Sequence, residues 1–434
     1  MENIVIMLVC FVVLLFAGVP VVFCLGIPTL LYLALNMHMP VELMAHSMIT
    51  PLYTYVLLAL PAFLLSGRMM NTAGVTERLL AFSLAMVGRF RGGMAQANAL
   101  ASMLFASMSG TAVGDAGGLG LVAIRIMKAA GYKPGFAAGI TAASSILGPI
   151  IPPSASMVIL GAMAEISIGR LFLSGIVPGL IMTAALMASV YLRGTFTKEG
   201  RDWPIVKVPI REAISTIAPA FFPMLTPIII IGAIVLGIST PTEAAVLAIN
   251  YALILGLIYR KINLQKLWKT LEDTVVTTGV FMLIISIAGF FTWLLTREGL
   301  PQILTQQLGF LAESGDVVFF FVVAIVLLIV GVFMDTTAAI LLVTPVLMPI
   351  VRVIGIDPVH FGVIMIVALM IGIITPPFGI CLFVVSEVSG VSVLKVTKEA
   401  VRYIPAMIIT LILVILFPKL VLWLPNLFFG PLPM

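Results

Sequence analysis

Charge is scarce in this chain of 434 residues: Asp, Glu, Lys and Arg make up 9% of it, whereas 62% is hydrophobic. The mean hydropathy is +1.24. Because a soluble domain usually carries about 25% charged residues, this composition excludes an ordinary globular protein and predicts an integral membrane protein built of helices. The net charge of +5 comes from basic residues in short loops between apolar segments. That pattern is typical of membrane topology, and it argues against nucleic-acid binding.

Cysteine and histidine are also rare, with three residues of each. Cys10, Cys24 and Cys381 lie in apolar segments without metal-ligand spacing, and no two histidines are spaced as a metal pair. Neither residue type therefore indicates a soft-metal centre. The absence of HExxH and GxGD motifs argues against an intramembrane protease. A channel stays open as an alternative, since channels also use re-entrant hairpins with interrupted backbone.

What the sequence does contain is two Gly- and Pro-containing stretches inside long apolar segments, GPIIPPS at 148–154 and GIITPPF at 372–378. Proline removes an amide donor and glycine relaxes the backbone, so each stretch is predicted to interrupt a membrane helix. Interrupted backbone is tolerated in a bilayer only where protein or a watery cavity surrounds it. Two such interruptions at corresponding positions of two half-chains indicate the binding site of a transporter.

The two stretches belong to a larger repeat. Five Gly and Pro positions recur at one constant separation: Gly131, Pro134, Gly148, Pro152 and Pro153 in the first half, and Gly355, Pro358, Gly372, Pro376 and Pro377 in the second. This register predicts an internal duplication. An odd number of crossings in each half would invert the second copy relative to the first, as in inverted-repeat transporters.

The predicted domains follow from the repeat. Residues 1–192 form the first copy: three helices, a hairpin at 93–129, a broken helix at 134–164 and a helix at 171–193. Residues 193–215 form a cytoplasmic linker. Residues 216–434 form the second copy: three helices, a hairpin at 317–351, a broken helix at 358–389 and a helix at 403–424. The first hairpin is interpreted as re-entrant, because its arms are shorter than the ~20 residues of a membrane span and meet at the polar stretch SMSGTAVGDAGG.

Basic residues predict the orientation. If the N-terminus lies outside, all but four of the 23 Lys and Arg residues lie on the cytoplasmic side, the exceptions being Arg170, Arg297, Arg352 and Lys419. Such a bias is the usual signature of cytoplasmic loops. The hairpin at 93–129 is therefore expected to face the cytoplasm, and the hairpin at 317–351 the outside.

Two carboxylates, Asp115 and Asp335, are predicted to lie near the middle of the membrane, one at the tip of each hairpin. An ionisable group is costly there, so each is a functional candidate. Asp335 precedes Thr336 and Thr337 and fits a helix cap equally well, and the two roles are compatible. Further hydroxyls near the tips come from Ser107, Ser109 and Thr111.

Interrupted helices also predict cation sites. Backbone carbonyls freed at the end of a half-helix can coordinate a hard monovalent cation, and the amides of the next half-helix can bind an anion. Two symmetric sodium sites are predicted, formed mostly by main-chain atoms. The first comprises Ser109, Gly148, Ile151 and Ser154, and the second comprises Gly331, Gly372, Thr375 and Phe378.

Five motifs occur in order: SGTAVGDAGGLG, GPIIPPSASMVILG, TPTEAA, MDTTAAILLVTPVLMPI and ITPPFGICLFV. TPTEAA by itself is interpreted as a capping box with Pro at the first helical position. Together the motifs resemble the large membrane subunit of tripartite ATP-independent periplasmic (TRAP) transporters, the DctM-like family, from about residue 3 to 424. At the first tip, Thr111, Ala112 and Gly114 replace part of the serine-rich run usual in that family.

The resemblance implies an elevator-type, sodium-coupled importer of small organic carboxylates in a bacterial inner membrane. It implies two partners besides the lipid bilayer: a small four-helix membrane subunit, expected as a separate polypeptide, and a soluble periplasmic substrate-binding protein. The second hairpin would then face the periplasm. The substrate carboxylate is expected between the tips, on Ser107, Thr111, Asp115, Asp335, Thr336 and Thr337. The alternative is a stand-alone sodium-coupled di- or tricarboxylate symporter of similar architecture.

Overall fold

All regular secondary structure in the described part of the chain is helical. The structure is a computed structural model, and it describes residues 2–36, 40–206, 208–300, 302–303 and 315–432. Seven helices in these ranges are long and apolar enough to cross a membrane, or eight if the bent segment formed by α3 and α4 counts as one span. The predicted all-α integral membrane class is thereby confirmed.

The helices of the first half, in chain order, are α1 (Glu2–Phe16), α2 (Val21–Leu35), α3 (Val41–Ile49), α4 (Ala59–Thr72), α5 (Val75–Val87), α6 (Gly93–Ser109), α7 (Ala112–Gly117), α8 (Leu119–Ala129), α9 (Pro134–Ser145), α10 (Ala155–Ala164), α11 (Ile168–Phe196) and α12 (Lys198–Arg201). Two 3-10 turns join α3 to α4, and the chain bends by 63° between them. The first predicted hairpin therefore consists of three helices, since the short α7 forms inside its tip.

The helices of the second half are α13 (Ile210–Val235), α14 (Pro241–Ile258), α15 (Leu264–Arg297), α16 (Asp316–Phe333), α17 (Thr336–Ile354), α18 (Pro358–Gly372), α19 (Ile380–Ser389), α20 (Val393–Ala400), α21 (Ile404–Leu416) and α22 (Pro418–Phe429). The second predicted hairpin corresponds to α16 and α17.

Two predicted helices differ from those observed. The segment predicted as a helix at 171–193 begins earlier and ends later, as α11. The segment predicted as one helix at 403–424 is divided into α21 and α22 at Phe417. Pro418 has no amide hydrogen to continue the helix before it, but it is well suited to the first turn of a new one. The inverted relation between the two halves stays a prediction.

The start of α14 shows how local chemistry fixes a helix end. The amide of Thr240 donates to Glu243 Oε2 at 2.7 Å, and the amide of Glu243 donates to Thr240 Oγ1 at 3.3 Å. Pro241 occupies the first helical position. The predicted capping box is confirmed, and its carboxylate is occupied in closing the helix.

The linker predicted at 193–215 is packed against the helices rather than extended. Trp203 is 8% exposed, and its ring centroid lies 4.3 Å from the ring centroid of Phe136 at the start of α9. Arg193 pairs with Glu399 at 2.6 Å and with Glu199 at 3.3 Å. Burial alone would raise the pKa of Glu199, but the hydrogen bond from Lys133 and the charge of Arg193 bring it below its ordinary value. The linker thus fastens the adjacent ends of α9, α11 and α20.

The broken helices lie at the centre of the fold. Every described residue of α18 from Val359 to Gly372 is buried, and α9 is buried from Phe136 to Ser145. The two halves interlock, because α10 packs on α17 and α9 packs on α20. Such all-round apolar burial is expected of helices inside a protein core. The helices that lead into the two interruptions, α9 and α18, are therefore enclosed by other helices.

Candidate functional site

A cavity of about 860 Å³ lies where both hairpin tips approach the first helix interruption and the start of α19. One wall is formed by α4 and α15. The opposite wall is formed by the first tip (residues 107–118), the starts of α10 and α17, and Ile380 at the start of α19. Both faces contribute polar side chains to an otherwise apolar protein, which is typical of a small-molecule site.

The first break (residues 146–154) separates α9 from α10, and all of its residues are buried. Ser154 closes it: its hydroxyl donates to the carbonyl of Pro149 at 2.6 Å and accepts from the amide of Met157 at 3.3 Å. The peptide bond between Pro152 and Pro153 is cis. Ser154 is therefore the cap of α10, in the role that serine commonly fills at helix starts.

The first tip rests directly on the first break, backbone against backbone. The carbonyl of Gly110 accepts the amide of Ala155 at 3.2 Å, and Gly110 has a φ of +63°, a conformation that glycine adopts without strain. At Gly148, a Cβ would lie 2.7 Å from the carbonyl oxygen of Thr111. Only glycine permits this approach, so the tip and the break form one unit.

Buried polar atoms without partners mark the interior side of the first tip. Asp115 is 1% exposed, and among the described residues neither of its carboxylate oxygens has a hydrogen-bond partner. The hydroxyl of Ser109 is likewise buried and unpartnered. Most buried polar groups in proteins are satisfied. Buried oxygen atoms without hydrogen-bond partners can serve as ligands of a hard cation, so they fit the sodium site predicted for this region.

The second break (residues 373–379) separates α18 from α19. Gly331 on α16 and Gly372 on α18 meet at their backbones, and a Cβ on Gly372 would lie 2.6 Å from the Cα of Gly331. The amide of Thr375 donates to the carbonyl of Gly372 at 2.8 Å. The peptide bond between Pro376 and Pro377 is cis. In contrast to the first break, residues 376–378 are exposed.

The second tip (residues 334–337) begins α17. Asp335 caps the helix, since its Oδ2 accepts the amide of Thr337 at 2.9 Å, and the predicted capping role is confirmed. Asp335 is half-buried and faces the cavity together with Thr336 and Thr337. Because a cap uses one carboxylate oxygen, the other stays available to a ligand in the cavity.

The predicted site residues fall into two groups. Five contribute to the cavity wall: Ser109, Thr111, Asp335, Thr336 and Thr337. The others lie behind it. Ser107 donates to the carbonyl of Leu104 at 2.6 Å, and Asp115 is enclosed beneath the first tip. The remaining predicted sodium ligands lie at the breaks: Gly148, Ile151, Ser154, Gly331, Gly372, Thr375 and Phe378.

Sequence reasoning missed the polar wall formed by α4 and α15, and a polar contact between α19 and α9. Arg68 on α4 and the carboxylates of Glu272 and Asp273 on α15 line the cavity. Cys381, treated as a small apolar residue, has its sulfur 3.0 Å from the hydroxyl of Ser145, where α19 meets α9. An arginine within the apolar α4 segment is the one sequence signal that could have pointed to this wall.

The chain matches a known family over most of its length: residues 8–420 fit the family described as "Tripartite ATP-independent periplasmic transporter, DctM component". It is 41% identical over 418 residues to the sialic acid TRAP transporter large permease protein SiaM of Vibrio cholerae, covering 96% of this chain and 97% of that one. It is 40% identical over 373 residues to the C4-dicarboxylate TRAP transporter large permease protein DctM of Pseudomonas aeruginosa, covering 86% of each.

Among solved structures, the chain is similar to MtrF of Neisseria gonorrhoeae. The TM-score is 0.61 with 13% sequence identity, over 91% of this chain and 85% of that one. Identity at this level shows a shared fold and nothing about the cargo.

Proposed function

The chain belongs to the DctM component family of tripartite ATP-independent periplasmic transporters, and from this premise we propose that it is the large subunit of a sodium-coupled importer of a small organic carboxylate. It is a multi-pass protein of the bacterial inner membrane. The observation that carries the proposal is the meeting of both hairpin tips with the first helix break and the start of α19 around one polar-lined cavity.

The proposed cargo class rests on the relatives and on the cavity. The names of SiaM and DctM specify sialic acid and C4-dicarboxylates, which share a carboxylate group. The cavity presents hydroxyls of Thr111, Thr336 and Thr337, and it contains the start of α17. Hydroxyls and helix-start amides bind carboxylates well. A volume of about 860 Å³ accommodates either cargo, so size does not choose between them.

Sodium coupling is proposed from the oxygen atoms at the breaks. At the first break, the unpartnered hydroxyl of Ser109 would join main-chain oxygens of Gly148 and Ile151 and the hydroxyl of Ser154. At the second break, Gly331, Gly372, Thr375 and Phe378 would supply mainly carbonyl oxygens. Sodium bound there would stabilise the arrangement of tips that binds substrate. By linkage, the substrate would then tighten sodium binding by the same free energy.

For movement we propose an elevator mechanism. The transport domain would comprise both hairpins, read as re-entrant, and both broken helices (residues 93–164 and 316–389). The scaffold would comprise the remaining long helices, α4 and α15 among them. Support comes from the cavity, which has α4 and α15 on one side and the tips on the other, so the proposed boundary between scaffold and transport domain would run through it. With sodium and substrate bound, the transport domain would move through the membrane relative to the scaffold and so carry the substrate from one side to the other.

The proposed assembly has two protein partners. Members of this family work with a small membrane subunit, proposed here as a separate four-helix polypeptide, and with a soluble periplasmic substrate-binding protein. The binding protein would make the first selection of cargo, and the large subunit would make the second.

Uptake into proteoliposomes that contain the large and small subunits tests the proposal. Substrate-loaded binding protein is added outside, with or without an inward sodium gradient. We expect uptake that requires both the gradient and the binding protein. Uptake indifferent to sodium would overturn the ion assignment. Sodium-driven uptake by the large subunit alone would favour the stand-alone symporter.

A further inference from the structure

We propose that Arg68 of α4 is the residue that binds the substrate's carboxylate from the scaffold side of the cavity. The assignment rests on the proposed import of an organic acid. It deepens that proposal by naming a specificity-determining cation that the hairpin and break motifs do not contain.

Arg68 is the one cationic side chain among the described residues that line the cavity. The other charged groups in the lining are carboxylates, namely Glu272, Asp273 and Asp335. A carboxylate cargo that enters this cavity therefore meets several like charges and a single guanidinium. Because like charges are repulsive at close range, the position of Arg68 decides where the cargo's carboxylate can lie.

The guanidinium of Arg68 is held in place and keeps free donors. Its Nη2 donates to Thr277 Oγ1 at 2.6 Å, and the Thr277 hydroxyl in turn donates to the carbonyl of Asp273 at 2.9 Å. Thr277 thus presents a lone pair to Arg68 in a fixed direction. Among the described residues, Arg68 forms no ion pair within 4.0 Å. A guanidinium has five N–H donors in a planar fork, so a bidentate pair remains for a carboxylate.

The backbone around Arg68 fixes its distance from the hairpin. At Gly67, a Cβ would lie 2.7 Å from the carbonyl oxygen of Met108 and 2.9 Å from the Cα of Ser109. One turn further on, the side chain of Asn71 lies against Gly118. A Cβ added at Gly118 would be 3.1 Å from Asn71 Nδ2. Arg68 is therefore located at the seam between α4 and the first tip. Arg68 and the tip residues Thr111, Thr336 and Thr337 line the same cavity, so an anion bound on the tip hydroxyls shares that cavity with the guanidinium.

A purely structural role explains Arg68 poorly. Holding α4 against α15 needs only a neutral hydrogen bond to Thr277, which glutamine could make. A charged side chain in an apolar membrane segment is costly and is usually retained for function. The planar fork of arginine also matches a carboxylate in a way that the point charge of lysine does not.

Equilibrium binding to the purified complex of large and small subunits, in sodium, tests the assignment. The probes are the carboxylates sialic acid, succinate and 2,3-diketo-L-gulonate, and the acid that wild type takes up is paired with its primary amide. We expect wild type to prefer the acid. The Arg68→Gln variant should bind the acid about 10- to 100-fold more weakly, the range for loss of a charge-assisted hydrogen bond, while its Kd for the amide stays within about twofold. Arg68→Lys should lie between them.

The matched control is Arg78→Gln, which changes another half-buried arginine, on α5, that lines a different cavity and covers the ring of Tyr259. We expect Arg78→Gln to bind the acid and its amide with wild-type affinity.

Sodium-dependent thermal stabilisation should persist in Arg68→Gln, which would show that this variant is folded. If Arg68→Gln binds the acid as wild type does, or weakens acid and amide equally, the assignment is wrong while the proposed function stands. If wild type takes up none of these acids, the proposed function fails first, and this assignment fails with it.

Discussion

The two helix breaks share a backbone design but differ in how they are covered. Residues 146–154 are buried throughout, closed by the Ser154 cap and by the hydrogen bond from Ala155 to Gly110 in the first tip. Residues 376–378 of the second break are exposed, and Phe378 is 38% exposed. The sequence repeat therefore specifies where each helix is interrupted, whereas tertiary packing decides how far each interruption is covered.

The difference matters for ion binding. Carbonyl oxygens in a dry, enclosed break interact more strongly with a cation than the same oxygens in contact with water. An enclosed site also admits an ion only when its cover moves. If both breaks bind sodium as proposed, the second break is the one that exchanges ions readily in this conformation, and the first is the one that holds them.

The largest expected effect tests what the breaks have in common. Gly148→Leu and Gly372→Leu each place a side chain against backbone, where even a Cβ would lie 2.7 Å or 2.6 Å from its neighbour. Since overpacking costs about 1–3 kcal/mol or more, we expect uptake to fall by about 10- to 100-fold or further in both variants. Proteoliposome uptake measures the effect, with membrane insertion checked by fractionation.

Gly232→Leu is the control for both variants, because a Cβ at Gly232 meets no atom within 4 Å. It should transport normally. Wild-type uptake by either break variant would show that close backbone packing at that break is not needed for transport.

The next largest effect tests the difference between the breaks. In a background without Cys10, Cys24 and Cys381, Phe378→Cys should react with a soluble maleimide at least about 10-fold faster than Ile151→Cys, since a buried position reacts only during local opening. Adding sodium should slow the reaction at the second break. Equal rates at the two positions would mean that the contrast in burial does not persist in the membrane protein in solution.

A smaller effect is expected from the hydroxyls. Ser154→Ala removes a buried cap and should destabilise the protein by about 1–2 kcal/mol, whereas Ser154→Thr keeps the capping oxygen and should cost less. Thr375→Val should cost about 0.5 kcal/mol or less, because the Thr375 side chain is half-buried and its hydroxyl donates to the carbonyl of Ile371 in the last turn of α18. Thermal unfolding in detergent compares them. A Thr375→Val loss as large as that of Ser154→Ala would contradict the contrast.

The smallest effect is expected at Phe378. Its ring contacts Phe333 at a centroid distance of 5.5 Å, and its proposed ligand atom belongs to the main chain. Phe378→Ala should therefore change the sodium concentration for half-maximal uptake by no more than about threefold, the effect of losing one aromatic contact. A much larger increase would show that the side chain itself shapes the second ion site.

Sequence reasoning located the chemistry that is encoded locally. Gly and Pro placed both breaks, because their backbone effects need no distant partner. The Thr240 and Glu243 spacing gave a capping box, and Asp335 before two threonines gave a cap. Sequence reasoning missed the cavity wall formed by α4 and α15, which contains Arg68, and the contact between Cys381 and Ser145. Each depends on residues far apart in the chain. It also missed the packing of Trp203, because an interhelical linker carries no periodic signal.

By itself, then, the sequence determined the membrane class, the helix interruptions and the residue types at the hairpin tips, through composition and short-range backbone chemistry. Only the tertiary structure decided that Asp115 is enclosed while Asp335 faces the cavity, that one break is sealed while the other is open, and that α4 brings an arginine to the seam. The physical reason is that burial and close approach are properties of neighbours in space. Two stretches with nearly the same local pattern acquire different surroundings once the helices pack.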